Sequence, residues 1–140
     1  MTDELTGALN RRALHAQAPA LQAQAGAAGQ TLALLVADLD HFKQVNDTHG
    51  HAAGDAVLRQ VVGVLRAQLR RDALLTRVGG EEFVLLVPVR DAAAAWRVAE
   101  RLRLAVAGQP VHVAGRVLRI TTSIGLTLLA GGEPLDTALA

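Results

Sequence analysis

Leu74-Leu75-Thr76-Arg77-Val78-Gly79-Gly80-Glu81-Glu82-Phe83-Val84-Leu85-Leu86-Val87-Pro88-Val89 sets two short apolar runs on either side of paired glycines and paired glutamates. Aliphatic runs bounded by glycine are strand signals, and paired glycines supply the positive φ that tight hairpin turns need. The stretch predicts a hairpin, with strands over 74–78 and 83–89 and an acidic tip between them. Upstream, Leu32-Ala33-Leu34-Leu35-Val36-Ala37 is continuous and apolar, the pattern of a strand buried on both faces, and it ends at Asp38.

Helices flank these strands. Residues 9–25 are rich in Ala, Gln and Arg, with Pro19 predicted to kink or divide the helix and Gly26 and Gly29 to end it. Val57, Leu58, Val61, Val62, Leu65 and Leu69 recur at spacings of three and four, one stripe of an amphipathic helix over about 52–69. Asp91 is placed to cap a helix over 92–107, with Ala95, Ala99, Leu102 and Val106 on one face and Gly108 and Pro110 closing it. Residues 111–113 and 116–129 supply strands around a turn at Ala114-Gly115, while the stretch after Asp40 reads as a polar loop. Phe83 and Trp96 read as core anchors. Such an order implies a sheet covered by helices.

The composition narrows the function. A chain of 140 residues, 51% apolar and 19% charged, suffices for one folded core. No apolar run approaches the ~20 residues of a membrane span, and Met1-Thr2-Asp3-Glu4 is not a basic secretory leader, so a cytoplasmic location without membrane contact is expected. Cysteine is absent, which excludes disulfides, thiolate metal sites and cysteine nucleophiles. A net charge of +1 and 2% aromatic residues leave neither the field nor the stacking platform of a nucleic-acid binder.

Asp38 and Asp40 sit at a strand end and Glu81 and Glu82 at a hairpin tip, the places where ligand sites gather in such sheets. Four carboxylates meeting at one edge would repel one another unless a cation compensated them, and hard oxygen ligands favour magnesium or manganese. A solvated loop and a solvated turn would account for the same residues. In the segment from His41 to Asp55, Asn46 and Asp55 suit a purine edge, because a carboxylate accepts the paired N–H groups of guanine, and Lys43, the only lysine, suits phosphate. Ordinary capping and turn chemistry is the alternative. Zinc at His41, His49 and His51 is discounted, since no ligand spacing supports it.

Four motifs, in order, resemble those of GGDEF domains, the diguanylate cyclases. Gly79-Gly80-Glu81-Glu82-Phe83 is the GGEEF form of the naming signature. Asp3-Glu4-Leu5-Thr6-Gly7-Ala8-Leu9-Asn10-Arg11-Arg12 resembles the family's opening motif, the stretch from Asp38 to Asp55 its central one, and Thr121-Thr122-Ser123-Ile124-Gly125 its late strand. The resemblance implies an α+β fold with a palm-like, mostly antiparallel central sheet covered by helices, related to nucleotidyl cyclases and polymerase palms. It implies a nucleotidyltransferase of bacterial second-messenger signalling that condenses two GTP into cyclic di-GMP and releases pyrophosphate. Magnesium or manganese would be held by Asp38, the Leu39 carbonyl and Glu81, with Glu82 also facing the metal. Asn46 and Asp55 would contact guanine and Lys43 the phosphates, and Glu81 would activate the 3′-hydroxyl. Gly79 and Gly80 would leave room for the nucleotide. Since each subunit would hold one GTP, catalysis implies a homodimer.

Two departures from the family pattern stand out. The inhibitory product site of many relatives is R-x-x-D; Arg70 matches its arginine, but Ala73 stands where the aspartate belongs and Asp72 lies one place off, so weak or absent product inhibition is expected. Relatives also continue past Leu135-Asp136 into a helix whose basic residues touch the triphosphate, and carry an upstream sensory domain. The chain is therefore expected to be a single GGDEF domain, 1–140, taken from a longer protein and lacking both. An alternative function is a GTP-binding regulatory module with weak or no turnover.

Overall fold

Side chains of a strand alternate between two faces, so a strand apolar at every position needs a cover on each side. β1 (Thr31–Leu39) meets this requirement in the computed structural model, which describes residues 1–129 and Leu135. Ala33, Leu35, Ala37 and Leu39 point into one apolar cluster and Leu32 and Leu34 into another on the opposite face. β1 is central because β3 (Glu82–Val89) pairs along one edge and β6 (Thr122–Leu129) along the other, both antiparallel. β2 (Leu74–Gly79) completes the sheet beside β3, giving the order β2-β3-β1-β6 with every pairing antiparallel. The fold is thus α+β, with the antiparallel central sheet expected from the sequence.

One face is covered by α1 (Arg11–Ala27), whose Leu14, Ala18, Leu21 and Ala25 are buried against Leu32, Leu34, Val84 and Leu86. Asn10 caps this helix by accepting the Ala13 amide at 2.9 Å. Pro19 lies inside the helix without dividing it. A proline inside a helix costs about 3 kcal/mol, and burying each leucine side chain returns roughly 1.5–3 kcal/mol, so the buried stripe holds the helix together. Leu135 adds to the same cluster; the expected helix beyond it lies outside the described residues.

The other face is covered by α3 (His51–Gln68) and α4 (Ala92–Ala107), which bury Val57, Leu58, Val61, Val62 and Leu65, and Ala95, Ala99, Leu102 and Val106. Phe83 is fully buried there. Trp96 is a correction: it is 65% exposed, because one step along α4 turns it about 100° from the buried Ala95 and off the stripe that faces the sheet. A small separate hairpin, β4 (Val111–Val113) with β5 (Arg116–Leu118), turns at Ala114 and Gly115 with φ of 50° and 76°. The expected continuous strand over 116–129 is therefore split, the later part joining the main sheet as β6. No helix among the described residues is long and apolar enough to cross a membrane.

Two further corrections concern the ligand-bearing segments. The polar loop after Asp40 is mostly helix, α2 (Phe42–His49), separated from α3 by Gly50 at φ 89°. Its one buried residue is Phe42, so it lacks the apolar repeat that identifies longer helices. At the β2–β3 turn neither Gly79 nor Gly80 adopts positive φ, and the register shifts between Arg77 and Gly79. The ladder is thus irregular just before the tip, and left-handed glycine backbone plays no part in the turn.

Candidate active site

The antiparallel register brings the acidic tip to the first aspartate. Asp38 is the direct partner of Glu82 across β1 and β3, and the Leu39 amide donates to the Glu81 carbonyl at 3.2 Å. Residues paired directly across a ladder leave the sheet on the same side, so Asp38 and Glu82, both exposed, emerge together. Burial, then the negative charges of Glu81 and Asp40, push the Asp38 carboxyl above its ordinary range, against a lowering hydrogen bond from the Leu39 amide.

Asp40 is differently employed. Its carboxylate accepts the Ser123 hydroxyl at 2.6 Å and the Thr121 hydroxyl at 2.7 Å, and its amide donates to the Thr121 carbonyl. These two hydroxyls hold its carboxyl below the usual range, with burial opposing and His41 assisting. Asp40 thus ties β1 to the start of β6. The expected meeting of four carboxylates is corrected accordingly: among the described residues no three acidic or imidazole side chains gather tightly enough to hold an ion by themselves.

Beside Glu81 opens a cleft of about 450 Å³, within the range of small-molecule sites. Lys43 and Asn46 reach it from α2, Asp55 from α3, and Gly80 and Glu81 from the hairpin tip. Phe42 and Leu58 form its apolar floor, and His51 and Arg77, which sequence reasoning did not assign to a site, also line it. A Cβ at Gly79 or at Gly80 would meet nothing within 4 Å, so the tip carries open space.

Arg77 holds this tip in place. Its Nε donates to the Gly80 carbonyl at 2.8 Å, and its NH1 donates to both carboxylate oxygens of Asp3 at 3.2 Å. Asp3 in turn accepts the Thr6 hydroxyl at 2.7 Å and the Thr6 amide at 3.0 Å. Although burial works to raise it, these bonds and the arginine charge hold the Asp3 carboxyl below the ordinary range. The opening motif is therefore a clasp on the β2–β3 turn. The signal was present, as an Asp and a Thr at fixed spacing and an arginine before the glycines, but the contact between them spans 74 positions.

A larger cavity, about 560 Å³, lies away from these carboxylates between the N-terminal loop, the end of α3 and β2, lined by Arg66, Arg70, Arg71 and Ala73. Arg70 is already engaged, pairing with Asp72 at 2.6 Å and donating to the Pro88 carbonyl at 3.2 Å.

A divalent cation suits the strand-end donors. They are hard oxygens, Asp38 carries uncompensated negative neighbours, and no ion pair among the described residues involves Asp38, Glu81 or Glu82.

Comparison with known proteins adds to the geometry. The family model described as "Diguanylate cyclase, GGDEF domain" matches residues 1–140. The chain is 45% identical over 133 residues to diguanylate cyclase DgcP of Pseudomonas aeruginosa, covering 95% of this chain and 20% of that protein. It is 44% identical over 141 residues to the response regulator PleD of Caulobacter vibrioides, covering 99% of this chain and 31% of that protein. The crystal structure of diguanylate cyclase SiaD with its activator SiaC, from Pseudomonas aeruginosa, superimposes with a TM-score of 0.90 at 38% identity, covering 99% of this chain and 53% of that one. The chain thus spans between a fifth and a third of the length of these two curated relatives.

Proposed function

The chain belongs to the diguanylate cyclase GGDEF domain family, and on that footing we propose that it condenses two GTP molecules into cyclic di-GMP with release of pyrophosphate. The observation that carries this reading is the convergence of Lys43, Asn46, Asp55 and Glu81 on one cleft beside Asp38.

In this reading Asn46 and Asp55 hold the guanine edge, the carboxylate accepting paired N–H groups that adenine does not offer. Lys43, exposed on α2, supplies a point charge for the phosphates. Glu81 accepts the proton of the attacking 3′-hydroxyl, whose oxygen bonds to the α-phosphorus as the bond to the β-phosphate oxygen breaks. Glu82 stands on the same side of the sheet as Asp38, at the edge of the metal site. A magnesium or manganese ion would be held by Asp38, the Leu39 carbonyl and Glu81, and would supply neutralisation of phosphate charge. The bare glycines at 79 and 80 leave room for the nucleotide.

A cleft of this size takes one nucleotide, so the attacking hydroxyl comes from a second protomer facing the first, and a homodimer is the working unit. In a longer protein an upstream sensory domain would govern that apposition, and the cytoplasm supplies the GTP. Feedback by the product at Arg70 should be weak, because Asp72 already pairs with it and Ala73 offers no carboxylate; tight binding of cyclic di-GMP that Arg70→Ala abolishes would contradict this.

Incubation with GTP and magnesium, with and without a fused dimerising helix, tests the reading. Cyclic di-GMP identifies the cyclase, and its yield should rise when dimerisation is forced. GTP binding without product in either form would identify the regulatory module instead.

A further inference from the structure

α3 contains two glycines in its interior, Gly54 and Gly63, at positions where alanine would favour the helix by roughly 0.5–1 kcal/mol. Neither adopts positive φ, so backbone freedom explains neither. Their surroundings differ. A Cβ at Gly63 would meet nothing within 4 Å. A Cβ at Gly54 would overlap the Oδ1 of Asn46 outright, lie 2.9 Å from its Cγ and come within 3.2 Å of Cζ of Phe42. Gly54 is buried, and Asn46 packs directly over it from the neighbouring helix α2.

No hydrogen bond among the described residues holds the Asn46 side chain. Its position is therefore set by contact, with the bare Cα of Gly54 as the seat and the Phe42 ring beside it. The next residue after Gly54 is Asp55, the other group assigned to the base, so the same turn of α3 carries one recognising side chain and seats the second.

We propose that Gly54 is a positioning residue for nucleotide recognition: its missing side chain fixes the direction of the Asn46 amide in the cleft. This rests on the reading of Asn46 as a base contact. An alanine at 54 displaces only the far end of a side chain that can rotate, so the cost falls on binding while the fold is retained.

The test uses 3′-deoxy-GTP with magnesium as probe, since it lacks the hydroxyl needed for condensation, with binding followed by calorimetry and stability by thermal melting. Gly54→Ala should weaken binding about tenfold, the worth of one good hydrogen bond, without lowering the melting temperature. Gly63→Ala should bind as the unaltered chain does. Asn46→Ala should weaken binding to a similar degree, and adding Gly54→Ala to it should cost nothing further. If Gly54→Ala binds normally while Asn46→Ala does not, the positioning role is wrong and the base contact stands. If both bind normally, Asn46 is no base contact and the inference falls with it. An equal loss from Gly54→Ala in the Asn46→Ala background, or unfolding of Gly54→Ala alone, would also overturn the proposal.

Discussion

Asp38 shows at the scale of one residue how a site is held against stability. Burial and the charges of Glu81 and Asp40 raise its pKa, so folding disfavours its ionised form. Its contribution is most favourable in acid and is lost as pH rises from the ordinary value of 3.8 through the raised one. Asp38→Asn should therefore melt at a higher temperature than the unaltered chain near neutral pH in chelator, while losing the rise in melting temperature that magnesium gives; a variant still stabilised by magnesium would argue against Asp38 as ligand. Asp3 has the opposite sign. Its depressed pKa gives stability that is present above 3.8 and lost as pH falls through the lower folded value. Asp3→Asn should lower the melting temperature at neutral pH, with the gap to the unaltered chain closing in stronger acid. Because Arg77 also holds Gly80, the same variant should lower kcat more than it raises KM for GTP.

Among the elements, β2 carries the clearest local flaw. Thr76 is fully buried and its hydroxyl has no partner among the described residues. A buried unsatisfied hydroxyl costs about 1–3 kcal/mol, so Thr76→Val should stabilise the chain by a similar amount, read as a rise of a few degrees in melting temperature. An unchanged or lower melting temperature would mean that the hydroxyl is satisfied in solution. Leu85, wholly buried in the middle of β3, should cost about 2–5 kcal/mol when cut to alanine. At this scale the strands and long helices were legible, because β1, β3 and α3 carry apolar periods that match their faces. α2 was not, since a short helix burying only Phe42 leaves no period to find. Trp96 misled for a related reason: aromatic bulk signals burial on average, but helix phase put it outside. The turn at Gly79 and Gly80 was located correctly on a mistaken ground, for neither adopts positive φ and the left-handed turn occurs at Ala114 and Gly115.

In the whole molecule, the sheet gathers at one end what the chain separates by dozens of residues. Sequence spacing indicated Asp38, Asn46, Asp55 and Glu81 one by one, and antiparallel register explains why they meet: β3 runs back along β1, so the tip arrives beside the first aspartate. The third dimension was needed to see that the Asp40 carboxylate is engaged by the Ser123 and Thr121 hydroxyls, and that Arg77 clasps the tip to the N-terminal motif. On the proposed function, in which each cleft takes one nucleotide and two protomers act together, the rate per chain should rise with chain concentration until dimers dominate. The most direct measurement is cyclic di-GMP formation from GTP and magnesium by the unaltered chain and by Glu81→Ala, both in the forced-dimer form and both checked by melting. If Glu81 has the roles proposed for it, base and metal ligand, its loss should reduce the rate by at least about 10²- to 10⁴-fold with the fold intact. Undiminished product from Glu81→Ala would contradict the assignment.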